Sequence, residues 1–197
     1  MTEVMEKTAK TASYKHRLSA DYFDLWRTEL MKDLELKNVN QVPQLEKIVI
    51  NVGISRAKDE KRLLDVVSNT LSKVSGQKPV TTVAKQSIAS FKLREGSKIG
   101  VKLTLRGPRM YEFADRFINL VLPRLRDFHG VNPKSFDKQG NFSIGLPDQS
   151  VFPELAYEDI ATSHGLQITF HIKSKSVEHS RALLEKLGMP FEKKGES

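Results

Sequence analysis

Apolar residues recur along this chain at two spacings, and Gly or Pro stands wherever the spacing changes. From Asp21 onward Phe23, Trp26, Leu30 and Leu34 repeat at helical intervals, and Pro43 ends the run. Residues 45–52 then alternate. Ile48, Ile50 and Val52 point one way, Lys47, Val49 and Asn51 the other, and Gly53 closes this strand. Asp59 is placed to cap a second helix with the stripe Leu63, Leu64, Val67, Leu71 and Val74. Gly76 stands at its C-terminal stop, Pro79 follows, and a short strand is expected over 80–84. Residues 86–97 read as a long hairpin loop around Phe91 and Gly96. The clearest strand comes next. Ile99, Val101, Leu103 and Leu105 face one way, and Lys98, Gly100, Lys102, Thr104 and Arg106 the other. Gly107-Pro108 leads into a third helix with Met110, Phe113, Phe117 and Val121, which Pro123 kinks or ends. Residues 129–153 form a Gly-, Pro- and Asn-rich loop with one strand near 142–146, and a loop this long is usually functional or disordered. Leu166, Ile168, Phe170 and Ile172 alternate with Gln167, Thr169, His171 and Lys173. Ser176 caps a last helix bearing Leu183, Leu184 and Leu187, with Gly188 and Pro190 as stop signals.

Strands that alternate are covered on one face only. The expected fold is therefore a two-layer α+β domain. Its mostly antiparallel sheet carries helices on one face and leaves the other open. The division expected is a flexible tail over 1–19, a single domain over 20–191 and a short tail over 192–197.

Composition sharpens this picture at three points. The 197 residues include 32 Lys+Arg against 24 Asp+Glu, a net charge of +8, which favours a polyanionic partner. There is no cysteine, so disulfides, thiolate metal sites and cysteine nucleophiles are excluded. No apolar run approaches the roughly 20 residues of a membrane span, and the polar segment Met1 to Leu18 lacks the core of a signal peptide. A cytoplasmic protein with no membrane partner is expected.

The charge is segregated. Between Lys73 and Arg109 stand nine basic residues (Lys73, Lys78, Lys85, Lys92, Arg94, Lys98, Lys102, Arg106 and Arg109) against one acid, Glu95. Between Gln139 and Ile172 there is no Lys or Arg, while Asp148, Glu154, Glu158 and Asp159 lie there. An ordinary solvated face mixes signs, because like charges on one strand repel. Lys98, Lys102 and Arg106 share a strand face with no acid between them, an arrangement that phosphates would stabilise. That face has Thr104 and Asn51 as hydrogen-bonding groups and no aromatic residue. Recognition of a folded RNA by shape and backbone fits it better than base stacking. Ile88 and Phe91 are apolar residues in the expected loop, beside Lys92 and Arg94. They either fold back onto the domain or form a finger for a second partner.

Enzyme motifs fail when tested. Gly96-Ser97-Lys98 is not a phosphate-binding loop, since Phe91 and Ile99 occupy the positions that need Gly and Ser/Thr. Ser143 is not in a nucleophile elbow, since Asn141 stands where Gly is required. His164, His171 and His179 lack metal-ligand spacing, and no cofactor or metal is expected. An RNA-modifying or RNA-processing enzyme using the same basic face is the alternative reading, but only Glu95 lies near that belt as a candidate acid. A peripheral membrane protein is a third. It would need basic residues on an amphipathic helix, whereas here they gather on a strand and a loop.

Several contiguous segments resemble a known family. They are Ser75-Gly76-Gln77-Lys78-Pro79, Ser87-Ile88-Ala89-Ser90-Phe91-Lys92 and Thr104-Leu105-Arg106-Gly107. With them go Arg109-Met110, Glu112-Phe113, Pro123-Arg124, Arg126-Asp127-Phe128, Lys134-Ser135-Phe136-Asp137 and Gly140-Asn141. In this order they resemble bacterial ribosomal protein five of the large subunit, over about Tyr22 to Phe191. The resemblance implies a non-enzymatic, ribosome-bound protein that docks 5S rRNA in the central protuberance. It would also meet 23S rRNA, neighbouring central-protuberance proteins, the P-site tRNA and a protein of the small-subunit head. By motif, Asn51, Gln77 and Thr104 correspond to 5S rRNA contacts, and the basic Lys78, Lys102 and Arg106 join them. Lys85, Ile88, Phe91, Lys92 and Arg94 correspond to the tRNA-facing loop. Lys134, Ser135, Phe136 and Asp137 lie in the loop that looks toward the small subunit.

Overall fold

A computed structural model describes residues 16–54, 61–91, 93–126, 128–160 and 162–192. Residues 1–15 of the expected N-terminal tail, the proposed cap Asp59, the loop residue Lys92 and residues 193–197 lie outside the described residues. Five antiparallel strands form one sheet in the order β2-β3-β1-β5-β4. They are β1 (Gln44–Gly53), β2 (Val80–Val83), β3 (Lys98–Leu105), β4 (Phe142–Leu146) and β5 (Leu166–Lys173). The helices are α1 (Arg17–Asp21), α2 (Arg27–Asp33), α3 (Lys61–Ser75), α4 (Pro108–Arg116), α5 (Tyr157–Ile160) and α6 (Val177–Lys186). A π turn over Tyr22–Trp26 joins α1 to α2, and another over Phe117–Val121 extends α4.

The alternation works as expected. Ile48, Ile50 and Val52 of β1, Val101, Leu103 and Leu105 of β3, and Leu166, Ile168, Phe170 and Ile172 of β5 are all buried. They meet Val67 and Leu71 of α3, Phe113 and Phe117 from α4 and its extension, and Leu183 and Leu184 of α6 in one core. Ile99, at the start of β3, is the exception and stays exposed. On the other face Asn51, Lys98, Lys102, Gln167 and Lys173 are exposed, and no described helix covers them. The sheet is open on one side.

The first helix differs from expectation in two ways. It begins at Arg17, and Leu18 is already buried, so helix and core start inside the stretch assigned to the tail. Its buried stripe is Leu18, Tyr22 and Leu30, with Trp26 partly covered, while Phe23 is 50% exposed. The widened π turn explains this, because residues four apart stay aligned through it while a three-residue step rotates off the face.

Candidate nucleic-acid interface

Strand register assembles the centre of the open face. In the β1–β3 ladder Asn51 stands opposite Lys102, and Val49 opposite Thr104. Side chains directly opposite one another share a face. Asn51, Lys102 and Thr104 are thus brought together from positions far apart in sequence. Arg106 follows directly after β3 and is exposed.

Gln77 reaches the same place from the end of α3. The Ser75 hydroxyl donates to the Leu71 carbonyl at 2.6 Å and accepts from the Gln77 amide at 3.3 Å, which folds the chain back after the helix. The Gln77 side-chain amide then donates to the Thr104 carbonyl at 3.1 Å. The β2–β3 pairing stops at Val80 with Lys102, so this carbonyl lies beyond the end of β2. Gln77 supplies the donor that the missing strand would have given. Lys78 follows it, exposed.

The charge of the face is less uniform than the alternation of β3 implies. A β-bulge between Leu45 and Lys47 adds a residue to β1, so Leu45 and Ile48 are both buried while Glu46 and Lys47 both turn outward. Glu46 reaches Arg106 at 3.6 Å, with both side chains more than half exposed. Arg106 therefore carries an acid partner that no reading of β3 alone could supply. The sheet order also brings in residues outside the expected site. Strand β5 lies beside β1, with His171 opposite Lys47, Thr169 opposite Val49 and Gln167 opposite Asn51. Thr169 and Ser143 of β4 share a hydroxyl hydrogen bond of 3.0 Å. Burial lowers the His171 pKa, Lys47 and Lys102 push the same way, and Glu46 and Asp137 oppose.

The β2–β3 connection forms a closed loop. Ala84 and Ser97 are joined at its neck by a 2.8 Å backbone hydrogen bond, and Ile88 pairs with Leu93 further out. Lys85, Ile88, Phe91 and Arg94 are all exposed, Phe91 by 74%. Ile88 and Phe91 are exposed and do not join the buried core.

The loop of Lys134, Ser135, Phe136 and Asp137 lies at the opposite end of the sheet, beside β4. Lys134 is exposed, but Phe136 turns inward and packs on Phe142 and Phe191, with ring centroids 5.0 and 5.9 Å away. Asp137 accepts from the Gln139 and Asn141 backbone amides and from the Asn141 side chain at 2.7 to 2.9 Å. Burial disfavours its charge, but these donors outweigh it and hold the carboxyl below its usual value. Gly140 closes the turn at φ +82°, where an added Cβ would lie 2.4 Å from the Ser180 hydroxyl. Ring packing and the Asp137 bonds thus tie the loop down, with Lys134 exposed on it.

Among the described residues there is no group of His, Asp and Glu arranged to hold a metal ion. A cleft of about 670 Å³ beside β4 is lined by Arg124, Arg126 and His129 together with Asp148, Ser150 and Glu192. No helix among the described residues is long and apolar enough to cross a membrane.

Among the described residues, an open antiparallel sheet with helices on one side and a mainly basic face without Phe, Tyr or Trp on the other gives an α+β protein whose uncovered surface suits a polyanion. Family models then place it. One described as "Ribosomal protein L5" matches residues 38–94, and a second, describing the C-terminus of the same ribosomal protein family, matches residues 98–191. The chain is 50% identical over 175 residues to the large ribosomal subunit protein uL5 of Natranaerobius thermophilus, covering 89% of this chain and 98% of that protein. It is 49% identical to the uL5 protein of Mycoplasma mycoides subsp. mycoides SC, covering 91% and 99% of the two chains. With the uL5 protein of Prochlorococcus marinus strain AS9601 the identity is 48%, over 87% and 96%. The chain belongs to the L5 family of large-subunit ribosomal proteins, which are structural components and not enzymes.

Proposed function

We propose that the open face docks 5S rRNA, with Asn51, Gln77, Lys78, Lys102, Thr104 and Arg106 as its contact residues. The observation that carries this is the convergence of Asn51, Lys102 and Thr104 on one uncovered face, with Gln77 bonded to the Thr104 backbone. Cations there bind phosphates and release counterions, while Asn51 and Thr104 offer hydrogen bonds to sugar hydroxyls and phosphates. The finger with Lys85, Ile88, Phe91, Lys92 and Arg94 reaches the P-site tRNA. The loop with Lys134, Ser135, Phe136 and Asp137 helps bridge to a protein of the small-subunit head. Its inward Phe136 and bonded Asp137 hold the loop's shape, and Lys134 makes the contact. 23S rRNA and other proteins of the central protuberance complete the surroundings.

The test is a filter-binding titration of the whole chain with 5S rRNA, tRNA and a scrambled RNA at two salt concentrations. Lys102→Ala with Arg106→Ala should weaken 5S binding by about 10-fold or more, on the scale of charge-assisted contacts of about 1.5–3 kcal/mol. An unchanged 5S affinity removes these residues from the contact surface.

A further inference from the structure

The β5 side of the open face carries a group that can change its charge near neutral pH. His171 is partly buried, stands opposite Lys47 across the β1–β5 ladder, and makes no hydrogen bond through its ring among the described residues. We propose that His171 joins the RNA grip as an imidazolium donating to a backbone phosphate, so that docking takes up a proton. This rests on the reading of the open face as the 5S rRNA surface, and extends that surface from β1 and β3 onto β5.

The charged groups facing His171 come from three directions. Strand β1 supplies Lys47 and Glu46, β3 supplies Lys102, and the loop before β4 supplies Asp137. Lys173 lies one step along on the same face of β5. Neighbouring β4 offers only Ser143 and Gly145 on this face, opposite Thr169 and Gln167. Glu46 and Asp137 are both engaged elsewhere, Glu46 with Arg106 and Asp137 with its own turn. In the free protein, burial and then Lys47 hold the ring below the ordinary histidine range. A phosphate laid between Lys47 and Lys102 offsets the cations and adds a negative charge within reach of the ring, which outweighs the burial that docking deepens.

The sign follows from linkage. A group that is more basic in the complex than in the free protein makes binding tighten as pH falls through the window between the two values. Above the bound-state value neither form holds the proton, and below the free-state value both do, so the dependence flattens at each end.

The experiment measures 5S rRNA affinity from about pH 6 to about pH 8 at fixed salt, the range in which histidine titrates. Proton uptake is measured alongside, by calorimetry in buffers of different ionisation enthalpy. The native chain should bind several-fold more tightly at the acid end and take up a fraction of a proton near neutrality. His171→Gln should lose most of that slope and uptake, and His171→Lys should bind tightly with little dependence on pH. His129→Gln, which lies outside the β1–β5 ladder, should behave as the native chain. If His171→Gln keeps the native slope and uptake while Lys102→Ala with Arg106→Ala still weakens binding, the proton inference is overturned and the docking face stands. If the double alanine variant binds as the native chain does, the docking face fails and this inference with it.

Discussion

Tyr22 and Tyr111 are both buried phenols, and the structure treats them differently. The Tyr22 hydroxyl donates to the Pro43 carbonyl at 2.9 Å, fixing the first helix against the entry to β1. The Tyr111 hydroxyl is buried with no partner among the described residues. A buried donor without a partner costs stability, and one with a partner contributes modestly. Tyr111→Phe should therefore leave stability unchanged or raise it by up to about 1 kcal/mol, while Tyr22→Phe should lower it by about 1 kcal/mol. Denaturant melts of the two variants provide the check, and equal losses would contradict the assignment. Burial pushes the Tyr111 phenol from 10.0 up to about 12, with Tyr22 adding a smaller push. The folded value exceeds the unfolded one, so this contribution is complete below pH 10 and is lost as pH rises toward about 12. An ultraviolet titration should show Tyr111 and Tyr22, both raised by burial, ionising late.

At the scale of elements, the end of α3 positions part of the RNA face. Arg116 of α4 donates to the Val74 carbonyl at 3.0 Å and pairs with Glu154, while Lys73 pairs with Asp159 at 2.7 Å. Cations at a helix C-terminus match its dipole and its unpaired carbonyls. The turn so held presents Gln77 to the edge of β3. Gln77→Ala should lower stability by about 1 kcal/mol, the scale of one hydrogen bond. It should also weaken 5S binding, because the Thr104 carbonyl then lacks its donor. Gln77→Glu keeps the size, removes the donor and adds a negative charge, so its RNA affinity should fall further than that of the alanine variant. Thermal melts beside gel shifts test this, and a glutamate variant that binds as well as the native chain would overturn it. The same scale shows what local pattern conveys. Period-two alternation in β1, β3 and β5 identifies the open face residue by residue, because each strand is covered on one side only. It misses Glu46, since a bulge breaks the period. It places Phe23 in the stripe that belongs to Tyr22, since a π turn changes the step. It leaves Lys47, His171 and Lys173 out of the site, because the neighbour of a strand is set by topology and not by its own residues. Alternation exposes Asn51 and Thr104, Gln77 comes only from the family resemblance, and their convergence is visible only once β1 pairs with β3.

Across the whole molecule the two signs of charge have different tasks. Glu154 and Asp159, from the stretch without Lys or Arg, are paired to Arg116 and Lys73, where they tie down α4 and α3. The open face keeps Lys47, Lys98, Lys102, Arg106 and Lys173, with Glu46 as an acid reaching Arg106 at 3.6 Å. An exposed pair of this kind contributes little to stability, about 0–1 kcal/mol. Its larger effect is on the field offered to an approaching polyanion. Glu46 partly offsets Arg106 in the free protein, and a phosphate must compete with it. Glu46→Gln should thus leave the melting temperature nearly unchanged and tighten 5S rRNA binding. If Arg106 gains a phosphate that Glu46 had kept from it, the slope of log K against log salt should steepen by about 0.7–0.9. A salt titration of the native chain beside Glu46→Gln and Arg106→Ala decides the matter. The arginine variant should shift the slope the opposite way, and adding Glu46→Gln to it should then change nothing, since Glu46 acts on the RNA through Arg106. Tightening by Glu46→Gln that persists without Arg106 would instead place Glu46 in direct repulsion with a phosphate, and would move the RNA backbone onto the bulge of β1.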